Sequence, residues 1–295
     1  NINHVYDIDE FNIDPDKSAY VIRAAKPGIV TFGGSLFLFP HPIKELKAVC
    51  DEVGTYVAYD ASHVLGLIAG GEFQDPLREG ADFITSSSHK TFPGPQGGVI
   101  MGNPTSPALE KAVRKIQFAI FPLSASSTHL GRLPALGIAA LEMKLFGSEL
   151  AKQIVKNAQT AGQYLCENGV KVLAEKKGFT KSHQIAVDIR NYGGGNKIAQ
   201  DLEDANIVCN KNLLPYDDQS SKENPSGLRI GFQDVTRHGF GEGDIKHLCD
   251  LMLDVIKGKR KPSEVKVDVM ALKKEFSQVK FGFQSVDEAL KHVKA

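Results

Sequence analysis

Two stretches of the chain place reactive side chain types at a suggestive spacing. In Thr85-Ser-Ser-Ser-His-Lys-Thr-Phe-Pro-Gly-Pro-Gln-Gly-Gly98 a single lysine, Lys90, stands among hydroxyls and glycines with no acid near it in sequence. Asp60 and His63 come some thirty residues earlier, where Tyr56-Val-Ala-Tyr-Asp60 runs into Ala-Ser-His63. An amine that attacks an aldehyde must spend time uncharged, so it has to lack a salt-bridge partner and be partly desolvated. A lysine opposite a carboxylate suits pyridoxal phosphate. The aldehyde of that cofactor forms an imine with a lysine, and its ring nitrogen needs an anion to stay protonated. A tight Pro/Gly loop also lets backbone come close to a ligand. The same residues have a plainer reading, which spacing alone favours: a lysine beside Gly and Pro is usually a surface-loop residue, and a strand-end Asp is often a helix cap.

The elements around these residues decide whether they can meet. Residues 28–32 read as a buried strand running into Gly33-Gly34-Ser35, and residues 42–52 as a helix with Ile43, Leu46 and Val49 on one face. Residues 56–60, 81–85 and 98–101 read as further strands, and Ser106-Pro107 as a helix start with serine cap and proline first. Short strands joined by helical crossovers predict a parallel sheet covered on both faces. Ligands of such sheets sit outside the carboxyl ends of the strands. Ser35, then Asp60 with His63, then His89 with Lys90 fall at those ends. Asp60 and Lys90 belong to one strand–crossover–strand unit and can converge on one cleft.

Two longer helical stretches follow, and after them the pattern changes. Residues 129–146 carry apolar side chains almost all round (Leu133, Leu136, Ile138, Leu141, Met143, Leu145), as a helix buried between domains would. A separate helix is expected over 149–167. This places a domain boundary near 147, with 1–147 part of a large domain and 148–295 a smaller α+β domain. In the second part residues 183–189, 207–209 and 228–230 read as strands, and 196–205 and 244–257 as amphipathic helices. The basic run from Lys257 to Pro262 reads as a solvated linker, and Ser285-Val-Asp-Glu288 as a capping box.

Composition removes whole classes of function. Lys plus Arg and Asp plus Glu both number 35, so no basic field argues for nucleic acid. No apolar run is long enough for a membrane helix. Cys50, Cys166, Cys209 and Cys249 are far apart and form no C-x-x-C pair, which points away from zinc and disulfides and toward a reducing cytoplasm. His129, His183, His247 and His292 lack metal-ligand spacing. Gly193-Gly194-Gly195 and Gly239-x-Gly241-x-Gly243 lack the context of a nucleotide fingerprint and read as turns.

Asp60-Ala-Ser-His63-Val-Leu-Gly66 followed by Ser87-Ser-His89-Lys90-Thr-Phe-x-Gly94-Pro95 resembles serine hydroxymethyltransferase, in its archaeal form. Further matches lie at Gly33-Gly34-Ser35, Asn210-Lys-Asn-Leu-Leu-Pro215, Ser226-Gly-Leu-Arg229-Ile-Gly231 and Thr236-Arg-His-Gly239, in the same order and covering nearly the whole chain. The resemblance implies the α/β, aspartate-aminotransferase-like fold (fold type I) of pyridoxal-phosphate enzymes: a mostly parallel large-domain sheet and a smaller C-terminal domain. It implies interconversion of serine and glycine, with the one-carbon unit passed to tetrahydrofolate or tetrahydromethanopterin, in a cytoplasmic homodimer.

It also implies the roles. Lys90 would carry the cofactor and Asp60 would pair with the pyridinium nitrogen. His63 and Ser35 would lie near the ring and its phenolic oxygen, Ser87 at the cofactor, and His89 near the phosphate. Arg229 would clamp the substrate carboxylate, although by itself it reads as an ordinary strand arginine. Gln96 stands where the family often has Arg, and Ser126 and Ser127 where it has a glycine-rich stretch. The family has a long N-terminal portion that supplies the phosphate cradle, the ring-stacking residue and part of the pterin site, so the chain reads as a C-terminal part. Two other readings stand beside this one. The first is another fold-type-I enzyme, threonine-aldolase-like or cysteine-desulfurase-like. The second is a non-catalytic fragment acting as a scaffold.

Overall fold

The computed structural model describes residues 2–127 and 129–293. The chain divides into two compact units. One holds the stretches up to Tyr6, Ile13–Ser35 and His41–Lys144; the other holds Asp7–Asn12, Leu36–Pro40 and everything from Leu145 onward.

Near its start the chain forms a short strand pair, β1 (Tyr6–Asp7) and β2 (Asn12–Ile13). Helix α1 (Pro15–Ala25), for which the sequence reading assigned no element, starts where the Asp14 carboxylate accepts the Lys17 N–H and Pro15 opens the helix. Then follow β3 (Ile29–Gly33), α2 (Ile43–Val53), β4 (Tyr56–Asp60), α3 (Leu65–Ala69), α4 (Pro76–Glu79), β5 (Phe83–Ser87), β6 (Gly98–Gly102), α5 (Pro107–Phe118) and the start of α6 (Arg132–Glu167). The sheet order is β3-β4-β5-β6, with β3, β4 and β5 parallel. Strand β6 runs antiparallel to β5, so the sheet is mixed rather than parallel throughout. The reason is length: a parallel return needs a crossover of a dozen or more residues, and the tight Pro/Gly loop between β5 and β6 is shorter than that. Phe32, Val57, Tyr59, Ile43 and Leu67 are each 0% exposed and form the packed layer beneath the strand ends.

Three expectations are corrected here. Strand β5 begins at Phe83 rather than Ala81, because the Ala81 N–H still closes the end of α4 on the Pro76 carbonyl. The two helices expected on either side of residue 147 are one, α6; a glycine inside a helix costs only about 1 kcal/mol, which packing overrides. The first part of α6 is not buried all round: Leu133 and Leu145 are exposed, while Ala139 and Met143 are buried.

The second unit comprises the rest of α6, β7 (Lys171–Val172), β8 (Gln184–Asp188), α7 (Gly195–Asp204), β9 (Asn210–Asn212), β10 (Gly227–Gly231), α8 (Gln233–Arg237), α9 (Glu242–Ile256), α10 (Pro262–Glu275) and α11 (Val286–Val293). Its sheet, ordered β7-β8-β10-β9, is antiparallel. Residues 36–40 join this unit because Gln184 Oε1 accepts the Phe37 N–H and the Leu38 carbonyl accepts the Lys181 N–H. The core is built from Ile185, Val187, Ile198, Leu202, Leu228, Ile245, Cys249 and Val265. At its centre the buried Asn157 amide donates to Thr236 Oγ1 at 2.9 Å and to the Phe240 carbonyl at 2.8 Å.

The strand expected at 207–209 forms three residues later. Asn206 is left-handed (φ 65°) and the Ile207 N–H returns to the Leu202 carbonyl, so this stretch finishes α7 instead. The basic run joins α9 to α10 and is largely exposed, as a solvated linker would be, and it is also tied down by polar contacts. Lys257 Nζ caps the Asn168 carbonyl, Arg260 pairs with Asp254 and Asp268, and the run opens α10, which the sequence reading did not assign. The Gly193–Gly195 and Gly239–Gly243 stretches lead directly into α7 and α9. The four cysteines are free, and among the described residues no helix is long and apolar enough to cross a membrane.

Candidate active site

The site is assembled where β3, β4 and β5 end side by side. Gly33 pairs with Asp60, and Asp60 with Thr85, so the residues that leave these strands emerge as neighbours. Beyond Asp60 the Ala61 N–H still bonds to the Thr85 carbonyl, which extends the ladder by one step. Asp60 Oδ1 accepts the Ser62 N–H at 2.9 Å, an Asx turn that holds the carboxylate at the strand end. Ser62 Oγ in turn accepts the Ser87 N–H at 3.1 Å and ties the end of β4 to the end of β5.

Lys90 follows β5 after the buried Ser88. Its Nζ lies 3.3 Å from His63 Nε2. Among the ion pairs of the described residues none involves Lys90. A lysine in loop surroundings has met an imidazole rather than a carboxylate, which is the environment the amine chemistry asks for. The loop that presents it is folded back on Ser88. The Ser88 N–H donates to the Gly97 carbonyl, the Gly94 N–H donates to the Ser88 carbonyl, and Ser88 Oγ donates to the Pro95 carbonyl at 2.7 Å. Two of the remaining contacts were not anticipated as structural devices. Thr91 Oγ1 accepts the Gly66 N–H at 3.0 Å, and a Cβ on Gly66 would lie 2.2 Å from the Thr91 carbonyl oxygen, so α3 and the lysine loop touch backbone to backbone.

The structure therefore brings Asp60, His63, Ser87 and Lys90 together at adjacent strand ends. Ser35 follows Gly33 at the end of β3 and is exposed. His89 is exposed too, its Nδ1 accepting the Gly97 N–H at 3.4 Å. Gln96, Ser126 and Ser127 are exposed. Arg229 lies in the other unit, in the middle of β10 between Ala186 of β8 and Asn210 of β9. Its Nη2 donates to Asn210 Oδ1 at 3.0 Å, and burial lowers its pKa from the ordinary guanidinium value.

Sequence reasoning missed the group beneath the β3–β4 ends. His41 Nδ1 accepts the Gly33 N–H at 3.0 Å, and burial, reinforced by the nearby His4, pushes the His41 pKa down to about 3. Gln74 and Tyr59 complete this group. No spacing motif links His41 to Gly33; the only signal was a histidine inside an otherwise apolar run ahead of a helix.

A mixed sheet of β3–β6 with a lysine at one strand end and a carboxylate at the next defines an α/β chain of the aspartate-aminotransferase-like type, fold type I. L-Threonine transaldolase from Pseudomonas fluorescens, solved in its internal aldimine state, superposes on it with a TM-score of 0.85 at 28% identity, covering 98% of this chain and 65% of that one. The family profile described as serine hydroxymethyltransferase matches residues 2–252, and the chain belongs to that family. It is 50% identical over 280 residues to the serine hydroxymethyltransferase of Methanocella arvoryzae, covering 95% of this chain and 65% of the relative. It is 49% identical to that of Sulfolobus acidocaldarius over 284 residues, covering 96% of this chain and 64% of the relative. The chain thus spans a little under two thirds of the length of these relatives.

Proposed function

We propose that the protein interconverts serine and glycine with pyridoxal phosphate, exchanging the one-carbon unit with a tetrahydrofolate-type pterin. The observation that carries this reading is the meeting of Lys90 and His63 at the end of β5, one strand from the Asp60 carboxylate. The residues present fit the cofactor. Among the described residues Lys90 takes part in no ion pair, the Asp60 carboxylate is fixed at the end of the neighbouring strand, and Gly33 leaves the end of β3 free of a side chain.

When bound, pyridoxal phosphate supplies the electron sink for the bond broken at the amino acid's α carbon. Lys90 would hold it covalently through Nζ, and the Asp60 carboxylate would be the anion that keeps its ring nitrogen protonated. His63, in contact with Lys90 Nζ, takes and returns the proton of that amine. Ser35 and Ser87 would offer hydroxyls to the cofactor, and His89 would serve its phosphate region. Arg229, whose Nη2 donates to Asn210 Oδ1 on the sheet, would take the substrate carboxylate in its two-pronged fork. We infer a cytoplasmic homodimer, a location consistent with four free cysteines.

A second reading draws on the likeness to L-threonine transaldolase: cleavage of a β-hydroxy amino acid without a pterin acceptor. Titrating the protein with pyridoxal phosphate and then adding serine with or without tetrahydrofolate or tetrahydromethanopterin separates the two. The expected result is an absorbance band at the edge of the visible that Lys90→Ala abolishes, and serine turnover that requires the pterin. No band in the wild type removes both readings; turnover indifferent to pterin removes the first.

A further inference from the structure

The turn that leaves β3 is gripped by a half-buried histidine. Gly33 ends β3 with φ +103°, and a Cβ built there would lie 2.2 Å from the Asp60 carbonyl oxygen. Only glycine lets the end of β3 rest directly on the backbone of Asp60, so a displacement of one is felt by the other. The Gly33 N–H donates to His41 Nδ1 at 3.0 Å. An imidazolium has no lone pair to accept with, so the ring is neutral and its proton is on Nε2. Its environment favours that form: the ring is nearly enclosed, and His4 stacks on Phe32 alongside it.

His41 is itself clamped by its backbone. Gln74 Oε1 accepts the His41 N–H at 2.8 Å, and Gln74 Nε2 donates to the His41 carbonyl at 3.0 Å. The same Oε1 accepts Tyr59 Oη at 2.9 Å, and Nε2 also donates to Glu79 at 2.6 Å. Tyr59 immediately precedes Asp60 on β4. The contacts therefore close a ring: Asp60, Tyr59, Gln74, His41, Gly33 and back to Asp60. Every side chain in it other than the carboxylates is largely buried, and it locks the two strand ends to each other from below.

We propose that His41 is a positioning residue for the candidate site, its neutral imidazole holding the Gly33–Ser35 turn in register with the Asp60 carboxylate. The proposal rests on the reading in which Asp60 faces the ring of pyridoxal phosphate. The test compares His41→Phe, which keeps an aromatic ring but no acceptor, with His41→Asn, whose Oδ1 takes the place of Nδ1. Two quantities are measured in the intact protein: hydrogen exchange at the Gly33 amide without cofactor, and the dissociation constant for pyridoxal phosphate. His41→Phe is expected to accelerate Gly33 exchange and to weaken cofactor binding about tenfold, and His41→Asn to restore both to within about threefold of wild type.

If His41→Phe does not fold, His41→Gln replaces it, because its amide oxygen falls at the Nε2 position and leaves Gly33 without an acceptor. Unchanged Gly33 exchange in the acceptor-free variant overturns the proposal. So does cofactor affinity equal to wild type despite faster exchange, or an imidazole ¹⁵N spectrum that places the proton on Nδ1. Failure of the functional reading is recognised separately: wild type itself then binds no pyridoxal phosphate, and the Gly33 exchange arm reports on His41 alone.

Discussion

Lys90 Nζ and His63 Nε2 stand 3.3 Å apart, the lysine on the loop after β5 and the histidine just past the end of β4. Whichever nitrogen carries the shared proton donates it, so the imidazole is a base or acid within hydrogen-bond reach of the amine. His63→Ala is expected to lower kcat for serine cleavage about a hundredfold while changing cofactor affinity much less. Steady-state kinetics beside a pyridoxal phosphate titration checks this. A kcat within about twofold of wild type would exclude His63 from proton handling.

Asp60 is held by the Ser62 N–H, and its charge is the group that would keep a bound pyridine protonated. Asp60→Asn preserves the Asx turn through its amide oxygen but removes the charge. We expect kcat to fall by about two to three orders of magnitude with thermal stability nearly unchanged. A calorimetric scan run next to the activity assay separates the two effects.

Gly66→Ala tests the backbone contact between α3 and the lysine loop. The new methyl would sit 2.2 Å from the Thr91 carbonyl oxygen and 2.8 Å from the Phe92 nitrogen, so the loop has to move. The expected cost is about 1–3 kcal/mol or more in urea unfolding, together with a shift in the cofactor absorbance as Lys90 is displaced. A silent Gly66→Ala would mean that the loop is not seated on α3.

His41 sets a pH dependence. In the unfolded chain its imidazole takes up a proton near pH 6.5; in the folded protein it does so only at about pH 3. Between these values the unfolded state binds the additional proton, so stability falls as pH drops through that window, by at most about 1.4 kcal/mol per pH unit. His4, whose pKa is lowered by burial, adds to the same trend. His41→Asn should lose less stability than wild type between pH 7 and about pH 5 in denaturant titrations.

In the second unit Asp188 gathers Arg190, Tyr216 and Lys171 at the end of β8, with Tyr216 Oη at 2.6 Å and Arg190 Nη2 at 2.7 Å. Burial alone would raise its pKa, but the hydrogen bonds from Arg190, Tyr216 and Lys171 outweigh this and hold the carboxylate far below its usual range. Asp188→Asn is expected to cost about 1–3 kcal/mol, because the two cations remain largely solvated without it. Urea unfolding of the variant at neutral pH gives the measurement.

The placement of the candidate residues at neighbouring strand ends was legible from residue type and spacing. Asp60 ends β4, which occupies the residues the alternation predicted, and Lys90 follows the next strand in sequence and in space. The ends of β3 and α2 shifted by only a residue. What failed was either non-local or a local rule that packing overrode. Gly147 did not break α6, and Asn206 kept residues 207–209 with α7.

By itself the order of residues determined the four strands of the first sheet, β3 to β6, to within two residues, and which reactive side chains stand at their ends, because two-residue and helical periodicities and turn residues act over short spans. The direction of β6, the backbone contact of Gly66 on Thr91 and the hold of His41 on Gly33 were decided only by the folded chain. Each depends on atoms far apart in sequence approaching to within a hydrogen bond or a van der Waals diameter, and no local pattern records such a distance.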